Sequence, residues 1–104
     1  MLLDEQTVSR KTPLDGRLEI SAAAADRLVA LGDEFALVSA GRVGRGRLSS
    51  LACTCAKGAG GGHVHHFVES PLLAQLTPGA AVRVELHERG PEVRVELTVA
   101  RSGP

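Results

Sequence analysis

The stretch AVRVELHERGPEVRVELTVA, residues 81–100, decides the fold. Val82, Val84 and Leu86 alternate with polar residues, then Gly90-Pro91 marks a turn, then Val93, Val95, Leu97 and Val99 alternate again. A period of two with a central turn predicts a β-hairpin with one apolar face. The other face carries Arg83, Glu85 and His87 against Glu92, Arg94 and Glu96, a mixed set that suits cross-strand pairing in water. A hairpin with one apolar face must cover it, so the rest of the chain has to supply more sheet or a helical layer.

Working outward, HVHHFVES (63–70) reads as a strand, and RVGRGRLSSLACTC (42–55) as a longer extended run. AKGAGGG (56–62) is a loop of small residues between them. The internal glycines of 42–55 predict a bulge or bend. EFALVSAG (34–41) and GRLEI (16–20) are two further strands. SAAAADRLVALG (21–32) is a helix, with Ser21 as its cap, four alanines, and Gly32 at its end. Ser70-Pro71 opens a second short helix over PLLAQL, and TPG (77–79) is a turn. Residues 1–13 are polar, mixed in charge, and read as a mobile lead-in to one domain over 14–100. The expected fold is mainly β: a small twisted antiparallel sheet or open barrel of about five or six strands with two short helices.

The bulk properties exclude several functions. The chain has 104 residues, of which 43% are hydrophobic and 23% charged, as in a globular domain with a small core. Its aromatic residues are Phe35 and Phe67, too few for stacking on single-stranded bases. Lys plus Arg and Asp plus Glu are 12 each, so the chain lacks the basic excess of most nucleic-acid or anionic-lipid binders. No run reaches membrane-span length, and MLLDEQTVSRK has acids where a signal peptide would be basic and apolar. The expected compartment is the cytoplasm, where two cysteines act as thiolates or metal ligands rather than a disulfide.

Both cysteines and three of the four histidines fall within CTCAKGAGGGHVHH, residues 53–66. If 48–55 and 63–69 pair around Ala59, Cys55 faces His63 and Cys53 faces His65. Leu51 would then face Phe67, and Ser49 would face Glu69. Strand alternation puts Cys53, Cys55, His63 and His65 on one side of the ribbon. Opposed Cβ atoms lie ~4.5–5.5 Å apart, within convergence distance for four ligand heads. Two thiolates and two imidazoles favour zinc, and four protein ligands close the site, as structural zinc requires. His66 points to the opposite face and is the substitute ligand if a bulge exchanges it with His65. An open position using three of these ligands, with Glu69 or His66 beside a bound water, would instead make a metalloenzyme.

DGRLEISAAAADRLVALGDEFALVSAGR (15–42) has a different significance. Gly16, Arg17, Leu18, Ile20, Leu31, Gly32 and Val38 form a Gly-Arg-apolar strand, a short helix, Leu-Gly, then an apolar strand. This layout resembles the AbrB/MazE-type looped-hinge domains, bacterial DNA-binding proteins that form swapped-hairpin dimers. The resemblance implies a DNA-binding regulator and a homodimer. The basic residues that would serve it are Arg42, Arg45 and Arg47, where guanidinium grips phosphate and glycine lets backbone approach. Alternatively, GRVGRGR is a solvated, bulged edge strand. Three arginines fall short of the roughly seven phosphate contacts that steep salt dependence needs. The favoured expectation is therefore a non-enzymatic zinc-binding domain with a protein partner of unspecified kind.

Overall fold

The 81–100 hairpin forms as its alternation requires and belongs to one seven-stranded sheet. The computed structural model describes residues 1–52, 64–89 and 92–100. Along the chain run β1 (Leu2–Thr7), α1 (Lys11–Asp15), β2 (Arg17–Ile20), α2 (Ala22–Val29), β3 (Glu34–Ser39), β4 (Arg42–Ala52) and β5 (Val64–Glu69). A 3-10 turn (Pro71–Gln75), β6 (Ala81–Arg89) and β7 (Glu92–Ala100) complete it. The spatial order is β1-β6-β7-β3-β4-β5-β2. The sheet is mixed rather than wholly antiparallel, because β3 lies parallel to β7. It curls into a nearly closed barrel in which the end strands β1 and β2 approach one another.

The first residues differ most from expectation. Residues 2–7 are not a lead-in: they form β1, paired with β6 from Thr7↔Ala81 to Leu2↔Glu85. The Met1 amine donates to the Leu86 carbonyl at 2.9 Å, and Val8 is buried. LLDEQT hides this because a register shift between Leu2 and Asp4 breaks the period of two. Asp4 then ties the seam. Its Oδ2 accepts from the Ser21 backbone N–H at 2.7 Å and from Gln6 Nε2 at 2.9 Å, linking β1 to the end of β2.

Alternation aims one row from each strand inward. Leu18, Ile20, Phe35, Leu37, Val68, Val82, Val84, Val95 and Leu97 are buried together. Val8 just after β1, Ala24, Ala25 and Leu28 of α2, Leu73 of the 3-10 turn and Leu76 just after it complete this core. Each large side chain so buried contributes roughly 1.5–3 kcal/mol. The Ser21 hydroxyl accepts from the Ala24 N–H at 3.1 Å, which fixes the start of α2. Ser70 does the same for the 3-10 turn, accepting from the Leu72 N–H at 3.2 Å. Among the described residues no helix is long and apolar enough to cross a membrane.

On the outer face of the long hairpin the signs do not alternate as expected. Glu85 stands directly opposite Glu96, and His87 opposite Arg94. Like charges directly opposed weaken a strand pair, so the apolar face sets this register and the polar face follows it.

Candidate metal centre

The metal ligands are expected on the β4–β5 ribbon, and the described register of that pair differs from expectation. Leu51 faces His65, Ser50 faces His66, Ser49 faces Phe67 and Arg47 faces Glu69. The expectation that Leu51 faces Phe67 and Ser49 faces Glu69 is therefore displaced by two residues, and His65 faces Leu51 rather than the expected cysteine. Two is an even shift, so each side chain keeps its face. The β2–β5 pairing, Arg17↔Glu69 through Ile20↔His66, holds β5 on its other side and helps fix the register. Cys53, Cys55 and His63 lie outside the described residues. Among the described residues no group of three or more His, Cys, Asp or Glu side chains is placed to hold a metal ion.

His65 is held on the outer face. Its Nδ1 lies 2.7 Å from Glu19 Oε2 on β2. A carboxylate accepts, so Nδ1–H donates, and Nε2 is the nitrogen suited to a metal. The His65 ring is tilted against Phe67 with centroids 6.4 Å apart. Arg17 lies over Phe67, 5.2 Å from its ring centroid. Leu51, His65, Phe67, Arg17 and Glu19 line one groove of about 450 Å³ with residues of β1 and α1. His66 is on the opposite face, with Nδ1 2.9 Å from Ser50 Oγ. Strand parity thus separates the substitute ligand from His65.

The arginines meet a different setting. β4 lies between β3 and β5, so GRVGRGR is not an edge strand, and the β3–β4 ladder runs without a register shift from Glu34↔Arg47 to Ser39↔Arg42. Two of its glycines, Gly44 and Gly46, are backed by side chains. A Cβ on Gly46 would come within 2.7 Å of the Phe35 ring, and one on Gly44 within 3.0 Å of Leu72. They are glycine because core side chains occupy the space. Arg47 Nε bonds Glu69 Oε1 at 3.0 Å. Ladder pairs continue this into a row Glu34, Arg47, Glu69, Arg17 of alternating sign across three adjoining strand pairs.

Glu69 is half-buried in that row. Desolvation pulls its pKa upward, but hydrogen bonds from Ser49 (2.9 Å) and Arg47, with the charges of Arg47 and Arg17, outweigh it and leave the pKa lowered. A carboxyl whose folded pKa lies below its unfolded value of about 4.3 stabilises the fold fully above that value. The contribution is lost as pH falls through the folded pKa. Glu69→Gln is therefore expected to flatten the fall in melting temperature on acidification below about pH 5. Equal slopes in wild type and variant would contradict this coupling.

Glu19 is the site residue that sequence reasoning missed. It sits 46 positions from His65, on a strand whose pairing with β5 no local pattern announces. Its only sequence signal is its outward parity beside Leu18 and Ile20. Compared with known proteins, the chain matches no family model and no curated protein.

Proposed function

We propose that this protein is a small non-enzymatic zinc-binding module. Cys53, Cys55, His63 and His65 supply the ligands, and the metal ties β4 to β5 beyond their described pairs. The observation that carries the reading is the Glu19–His65 bond at 2.7 Å. Metal-ligating histidines commonly donate their second ring N–H to a carboxylate, which fixes tautomer and ring orientation. In sequence, Cys53 and Cys55 stand two and four positions beyond Leu51, and His63 two before His65. That spacing keeps side chains on one face of an extended strand. Thiolate ligands suit a reducing compartment, so we place the protein in the cytoplasm, with a protein partner.

The other readings have less support. As DNA contacts, Arg42, Arg45 and Arg47 lose Arg47 to Glu69. As a metalloenzyme, the site would need Glu69 or His66 beside a bound water; Glu69 is engaged by Arg47 and Ser49, and His66 lies on the opposite face from His65, against Ser50. Cobalt titration tests the zinc reading. A tetrahedral site with two thiolates gives intense visible bands and sulfur-to-cobalt charge transfer. Wild type is expected to show both with one equivalent, and Cys53→Ser to lose most of the charge-transfer intensity. Identical spectra for the two proteins would remove Cys53 from the site.

A further inference from the structure

We propose that the hollow between α1, the 3-10 turn and β4 is a self-association surface whose occupant is a second copy of this chain. The hollow measures about 610 Å³ and is lined by Pro13, Leu14, Glu34, Arg45, Pro71 and Ala74, among others. On the side of α1 and the 3-10 turn, Pro13, Leu14, Pro71 and Ala74 give it an apolar wall, with Asp15 and Ser70 beside them. Leu14 stands on its rim, 82% exposed, on a helix too short to be laid down for its own stability.

The charges of the hollow point to the partner. Arg47 is tied to Glu69 at 3.0 Å, and Asp15 to Arg17 at 3.6 Å. Arg45 and Glu34 have no side-chain partner among the described residues. They occupy diagonal positions on neighbouring strands, because Glu34 faces Arg47 and Arg45 lies two residues away. Diagonal neighbours are roughly 7–8 Å apart. Beside the Arg47–Glu69 pair the hollow therefore presents one positive and one negative group without an ion pair among the described residues, an apolar wall and an apolar knob. A twofold axis through such a patch sets Arg45 of each copy against Glu34 of the other and each Leu14 against the facing hollow. A partner of one charge sign would satisfy only one of the two groups. The net charge of zero removes long-range repulsion between copies. The surface uses none of the four proposed zinc ligands, so it does not rest on that reading.

Sedimentation equilibrium of the full chain over a wide concentration range tests the proposal. Wild type is expected to dimerise, more weakly as salt rises. Arg45→Glu alone and Glu34→Arg alone each place two like-charge pairs across the twofold, and each is expected to weaken association by tenfold or more. The R45E/E34R double variant is expected to recover it. An equimolar mixture of the R45E chain and the E34R chain is expected to form a heterodimer that neither forms alone. Leu14→Asp, at an exposed position, is expected to weaken the dimer with an unchanged melting temperature of the monomer. A wild type that stays monomeric at every concentration, as it would if the hollow takes another protein or a small ligand, overturns the proposal. So does a dimer indifferent to both single reversals.

Discussion

Glu19→Ala is expected to weaken zinc binding by about 10–100-fold, the usual loss when the carboxylate behind a ligating histidine is removed. The Glu19 side chain is more than half exposed, so the substitution should leave the fold intact. Its effect would arise through His65 alone. Without the 2.7 Å bond, the imidazole loses both its fixed orientation and its preference for a proton on Nδ1. Glu5→Ala is the matched control. It also removes one exposed carboxylate from a strand position, there from a 3.4 Å ion pair with Arg83 rather than from a bond to His65. Competition against a chromophoric chelator reads both affinities. Equal affinities for the two variants would show that Glu19 does not support a metal ligand.

Gly46→Ala is expected to be the most damaging single methyl on β4. The added Cβ would lie 2.7 Å from Phe35 Cε1 and 3.3 Å from two further ring atoms. Phe35 is 4% exposed, so its ring cannot withdraw into solvent. Overpacking of this kind costs about 1–3 kcal/mol. For a domain of this size that lowers the melting temperature by roughly 4–8 °C per kcal/mol. Gly44→Ala is a useful contrast. Its Cβ meets the end of the Leu72 side chain at 3.0 Å, and Leu72 is half-buried and can rotate aside. The smaller loss there separates a rigid neighbour from a flexible one. Phe35→Leu combined with Gly46→Ala should recover part of the loss, as coupled neighbours do in a double-mutant cycle. Equal melting temperatures for wild type and Gly46→Ala would mean that the ring does not fill this space.

These two residues show what a single sequence discloses and what it withholds. The hairpin of 81–100 was legible because apolar residues alternate without interruption. So was the capped start of α2, since Ser21 precedes four alanines. β1 was not legible, because the shift between Leu2 and Asp4 breaks its period and β6 supplies the missing order. Gly44 and Gly46 looked like a bulge because a glycine in a strand states only that a side chain is absent. Which neighbour fills the space is a tertiary fact. The face of each residue on β4 and β5 followed from parity, but the register did not, since the number of residues in the connecting loop does not fix where pairing begins. Glu19 lies further still from local reading, because its role arises from the β2–β5 pairing.

The central claim is that Cys53, Cys55, His63 and His65 hold one zinc ion. Its most direct test is the metal content of the purified full chain, measured by elemental analysis beside Cys53→Ser, together with both melting temperatures. The zinc reading predicts one zinc per chain in wild type, less than a tenth of that in the variant, and a lower melting temperature for the variant. A wild type that carries no zinc when purified in its presence, and melts at the same temperature as Cys53→Ser, would contradict it.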